Sequence, residues 1–116
     1  MSELIDLTNR LAAETLAFRK LAAEAAVAEA TYKREWAKRF LLSREEAKTN
    51  DERKAVVDSD EHVAQLAMTR LTSAAVADSQ KEVLRSLREH IGAVRTEMAN
   101  HRVGDELHAR GYGGAA

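Results

Sequence analysis

The sequence predicts an all-α protein: two long antiparallel helices joined by a short helix, a helical hairpin that oligomerises into a bundle. Three observations lead there. No proline is present and four of the five glycines lie beyond residue 103, so almost nothing earlier in the chain interrupts a helix. Apolar residues recur at intervals of three and four over long stretches. Polar capping residues crowd into one central run, LLSREEAKTNDERKAVVDSDEH, where a chain reversal belongs.

The first helix spans about residues 3–42. Its main apolar line runs through Leu4, Leu7, Leu11, Phe18, Leu21, Tyr32, Trp36 and Phe40. In the central run, Ser43 with Glu46 and Thr49 with Glu52 each match the S/T-x-x-E capping box, which predicts a short helix over 51–57. Asp58 or Ser59 then caps a second long helix over 59–102. Its inner line is read as Val76, Val83, Leu84, Leu87, Ile91, Val94 and Met98, preceded by a run of Val63, Leu66, Ala67, Leu71 and Ala74 in which Val63, Ala67, Leu71 and Ala74 lie on a rotated face. Residues 1–103 form the hairpin domain, and the glycine-rich end, 104–116, is expected to be a flexible tail. An antiparallel arrangement places acidic Glu3, Asp6, Glu14 and Glu24 near Arg85, Arg88, Arg95 and Arg102. It also places Lys33, Arg34, Lys38 and Arg39 near Asp58, Asp60 and Glu61.

A second apolar line, Ile5, Leu16, Val27 and Leu41, lies nearly opposite the first on the same helix. A lone hairpin buries one face of each helix, so this line is read as an oligomer seam, with a homodimer as the expected assembly.

Composition narrows the function. Eighteen basic and nineteen acidic residues leave a net charge of −1, which disfavours general coating of nucleic acid. The chain has no cysteine, no Gly-rich phosphate loop and no G-x-S-x-G elbow, and its carboxylates are spaced as solvated helix faces are. No catalytic residue and no cofactor is expected. His62, His90, His101 and His108 lack paired ligand spacing, so no metal site is expected either. With no secretory leader pattern and no membrane-length apolar run, the protein is expected to be cytoplasmic and not membrane-bound.

The segment TYKREWAKRF sets three of the five aromatics among cations. Tyr32, Trp36 and Phe40, with Phe18, Leu87 and Ile91, are read as core anchors because they share the inner lines. Lys33, Arg34, Lys38, Arg39 and Arg44 form a candidate binding edge, and Arg85, Arg88, Arg95 and Arg102 a second. Either edge could meet an acidic protein or a phosphate backbone.

The order TYKREWAKRFLL, KTNDERKA and VLRSLREHIGAVRTEM resembles small helical proteins encoded by phages and prophages of Gram-positive bacteria. In those, a Tyr-Lys-x-x-aromatic-Ala segment precedes a Thr-x-x-Glu-Arg-Lys-Ala stretch and a long Leu/Arg helix. The matching positions are Tyr32, Lys33, Trp36, Ala37, Thr49, Glu52, Arg53, Lys54 and Ala55, and the resemblance covers about residues 25–100. Its motifs are structural. It implies a protein of the host cytoplasm, without assigned activity, that engages a host or phage protein. Function is therefore expected to be non-enzymatic protein–protein interaction by a self-associating adaptor. A nucleic-acid-binding accessory of replication or recombination, and a virion structural or assembly component, are the alternatives.

Overall fold

The computed structural model describes the backbone of residues 2–115 and the side chains of residues 2–111. The chain is all-α, with no strand among the described residues. α1 is Ser2–Leu42, a single 3-10 turn follows at Ser43–Glu45, α2 is Asn50–Ser59, and α3 is Glu61–Ala115. α1 and α3 pack antiparallel, the predicted hairpin. Contacts group the chain into two compact units. One combines the beginning of α1, up to Thr15, with α3 from Glu82 onward, and the other is Leu16–Lys81.

In the first unit, Leu7 packs with Leu87, Ile91 and Val94, and Leu4, Leu11, Val83 and Met98 close over them. Glu3 lies 3.7 Å from His90, an acid of α1 beside α3 at this end. In the second unit, Glu29 meets Arg70 and Arg39 meets Asp60, so numbers rise on one helix as they fall on the other.

The inward positions repeat every seven residues. On α3 they are Val63, Arg70, Ala77, Leu84, Ile91 and Met98, with Leu66, Ser73, Gln80, Leu87 and Val94 between them, all buried or half-buried. On α1, Leu4, Leu11, Phe18, Ala25, Tyr32 and Arg39 follow the same interval. A seven-residue period is the signature of a coiled-coil seam. It corrects two expectations. Val76 is 45% exposed while Ala77 is 8% exposed, because Ala77 lies seven residues from both Arg70 and Leu84. Val63, expected on a rotated face, is buried at the start of the same line.

The turn also differs in detail from the sequence reading. Thr49 caps α2 as predicted, accepting from the Glu52 N–H at 3.2 Å, while the Glu52 carboxylate accepts from Lys48 N–H at 3.3 Å. Ser43 does not form a capping box with Glu46. Leu42 stays in the right-handed helical region, so no extended N-cap geometry exists there. The buried Ser43 hydroxyl instead donates to the Phe40 carbonyl at 2.6 Å. α3 is capped by Asp60, not by Asp58 or Ser59, through Val63 N–H donating to Asp60 Oδ1 at 3.0 Å. At the other end α3 continues through the glycine-bearing segment to Ala115, where the sequence reading ended the helix at 102. Among the described residues no glycine has positive φ, so none forms the left-handed cap that would stop the helix. Residue 116 of the expected tail lies outside the described residues.

Leu87→Ala should lower unfolding stability by about 2–5 kcal/mol, since it empties a buried position. Val76→Ala, at an exposed one, should change it by less than about 0.5 kcal/mol. Chemical denaturation of the two variants checks this, and equal losses would contradict the seam assignment.

Candidate functional site: a charged turn and two outward helix faces

The first candidate is the turn of the second unit. Arg39 Nε donates to Asp60 Oδ2 at 3.0 Å, and its terminal nitrogens reach Glu46 at 2.8 and 2.9 Å. Trp36 Nε1 donates to Asp58 Oδ1 at 3.0 Å, and the Trp36 ring stacks on Phe40 with centroids 5.3 Å apart. These hydrogen bonds hold Arg39 firmly protonated. Glu46 is held below its ordinary carboxylate range by Arg39; Asp60 is held low first by the Val63 N–H and then by Arg39. Val57, fully buried, lies on the neighbouring helix α2. The arrangement closes the hairpin.

The proposed basic edge is thereby divided. Arg39 is an internal tie and not an edge residue, because its position seven after Tyr32 turns it into the seam. Lys33, Arg34 and Lys38 stay exposed and pair along their own helix, with Glu29 at 3.3 Å and with Glu35 at 3.6 and 3.4 Å. They do not reach Asp58, Asp60 or Glu61 as the sequence reading had it. Arg44 is exposed. On α3, Arg88, Arg95 and Arg102 are exposed along one line, and Arg85 pairs with Glu82 at 2.6 Å.

The core anchors divide similarly. Leu87 and Ile91 are buried, whereas Phe18, Tyr32, Trp36 and Phe40 are half-buried. Sequence reasoning missed the partner of Tyr32. The Arg70 guanidinium lies 4.3 Å from the ring centroid, and its Nη1 is 3.5 Å from Glu29. Its Nε is buried without a hydrogen-bond partner, so this cation interrupts the apolar seam. The signal was present: Arg70 is the lone charged residue between Val63 and Ala77.

Ile5 in the first unit and Leu16, Val27 and Leu41 in the second are all exposed, each turned away from the seam. The second unit has a matching outward face on α3, where Met68 is 71% and Leu71 62% exposed. A shallow depression beside them is lined by Gln65, Met68, Thr69, Thr72 and Ser73. Among the described residues no His, Cys, Asp or Glu group is arranged to hold a metal ion, and no helix is long and apolar enough to cross a membrane. The residues thus define an all-α helical hairpin with apolar outer faces. Comparison with family models, curated proteins and solved structures found no match.

The turn makes stability pH-dependent. Glu46 and Asp60 titrate lower folded than unfolded, so their contribution is complete above the ordinary carboxylate range and is lost as pH falls through their folded values. The thermal midpoint should hold from about pH 7 to 5 and drop below about pH 4. Asp60→Asn, which keeps a capping side chain but removes the charge, should show a shallower acid decline than the unaltered protein. Identical declines would contradict the role given to the ion pair.

Proposed function

We propose that this chain is a non-enzymatic, cytoplasmic interaction protein that associates with itself and presents a helical face to a partner protein. The observation that supports it best is the pair of outward apolar faces in the second unit, Leu16, Val27 and Leu41 on α1 and Met68 and Leu71 on α3. Both stay exposed, outside the seam between the helices. Met68 and Leu71 adjoin on one face of α3, whereas Leu16, Val27 and Leu41 are spread along α1, and adjoining exposed apolar side chains mark interaction surfaces more often than scattered ones do. Recognition here is helix against helix, with apolar side chains providing affinity and the neighbouring charges orientation.

The nucleic-acid reading draws less support. Lys33, Arg34 and Lys38 each have a carboxylate within 3.6 Å, which offsets the field a phosphate backbone would meet. The long exposed helices are also compatible with an assembly component, a specialised case of self-association.

Light scattering coupled to size exclusion tests the proposal. A mass well above the 12.8 kDa of one chain is expected at both low and moderate salt. A monomer across the accessible concentration range would refute self-association.

A further inference from the structure

The two outward faces of the second unit differ in a way that fits one to the other. Between Leu16 and Leu41 the exposed charged residues of α1 are five cations and one carboxylate: Lys38 and Glu24 flank the seam, and the outward lines themselves carry Arg19, Lys20, Lys33 and Arg34. They sit in two pairs on either side of a small-residue stretch containing Ala23, Ala26, Val27 and Ala30. On the outward lines of α3 between Glu61 and Ser79 the charged residues are Glu61 and Asp78, both acidic and both exposed. They bracket Met68 and Leu71, the large apolar residues of that face.

Charge and size are complementary at once. The basic pairs on α1 are centred about 14 residues apart and the acidic residues on α3 about 17, which a rise of about 1.5 Å per residue turns into about 20 and 25 Å. Met68 and Leu71 are large where Ala23, Ala26 and Ala30 are small, the combination that lets two helices approach closely. The depression lined by Gln65, Thr69 and Thr72 lies beside Met68, where Val27 of a facing helix would seat. A face paired with its own copy would lack this match, since α1 would set cations against cations and α3 carboxylates against carboxylates.

We infer that the α3 face of one copy docks on the α1 face of the next, a head-to-tail contact. This rests on the self-association proposed above and names its geometry. Each face points away from the seam of its own hairpin, so one copy can use both at once. A contact between unlike faces does not close as a two-fold dimer; it extends into rings or open chains. The expected homodimer is replaced in this account by an assembly whose mass grows with concentration. Exposed Lys33 and Arg34, read from the sequence as part of a binding edge, would be shared between their own-helix partners Glu29 and Glu35, at 3.3 and 3.6 Å, and the acidic border of the neighbouring copy.

Complementary blocking variants test this. Ala23→Glu with Val27→Glu blocks the α1 face, and Met68→Glu with Leu71→Glu blocks the α3 face. All four positions are exposed, so circular dichroism should match the unaltered protein. If either variant loses helical signal, Gln replaces Glu at the same positions. The unaltered protein should show an average mass that rises with concentration past that of a dimer. Each variant alone should stay monomeric, and an equimolar mixture should form a 1:1 complex of about twice the chain mass, because one free α1 face and one free α3 face remain. An α1-blocked variant that dimerises alone, or a mixture that stays monomeric while the unaltered protein associates, overturns the head-to-tail contact and leaves self-association standing. An unaltered protein that is monomeric throughout overturns both.

Discussion

The ion pair between Arg39 and Asp60 joins three elements that the chain otherwise connects only by short turns. Asp60 ends α2, its N–H donating to the Val57 carbonyl at 3.1 Å, and begins α3 by accepting from Val63 N–H. Its φ of −64° and ψ of 127° place it outside the helical region, so α2 and α3 meet at an extended residue whose side chain is free to turn inward. Arg39 then reaches it from α1 and uses its remaining nitrogens on Glu46 in the turn. A guanidinium suits this place because its planar fork can serve two carboxylates, which a lysine ammonium does less specifically. With α1 and the start of α3 tied at this point, the second unit is set antiparallel, and Tyr32, seven residues before Arg39, comes under Arg70.

The seam that follows is uneven. Its large apolar residues concentrate in the first unit around Leu87 and Ile91, whereas Arg70, Ser73, Ala77 and Gln80 occupy successive inward positions of α3 in the second. Small and polar layers bury less apolar surface, so each contributes less to stability. The same stretch of α3 holds no outward charge between Glu61 and Asp78 and leaves Met68 and Leu71 in solvent. Apolar surface withheld from the inside is available on the outside, which would couple stability to association under the self-association proposed above.

Much of this was legible in the sequence, and the exceptions have definite causes. The two long helices, the Thr49 cap and the inner line of α1 follow from periodicity and capping chemistry, which act locally. The phase of α3 was harder to read. Val76 looked inward in one run with Val83, seven residues on, but the same interval counted from Leu84 selects Ala77, a residue too small to stand out in a hydrophobic pattern. Ser43 and Glu46 have the spacing of a capping box, yet Ser43 continues the path of α1 and Glu46 is drawn to Arg39, a contact between residues seven apart that no local rule specifies. That one of four neighbouring cations turns inward could have been found from Tyr32, since Arg39 is the next step of its heptad. The extension of α3 past Arg102 shows the opposite limit, because glycine permits a helix end without requiring one.

In the proposed assembly the outward faces bury against a second copy the apolar surface that the small and polar layers of the seam leave in solvent. Association that favours the folded form must raise the unfolding temperature as protein concentration rises. The most direct test is the thermal midpoint followed by circular dichroism over about a hundredfold range of concentration at constant salt and neutral pH. A midpoint that climbs steadily with concentration is the predicted result. A midpoint independent of concentration would mean that the folded chain is sufficient alone and would contradict the account.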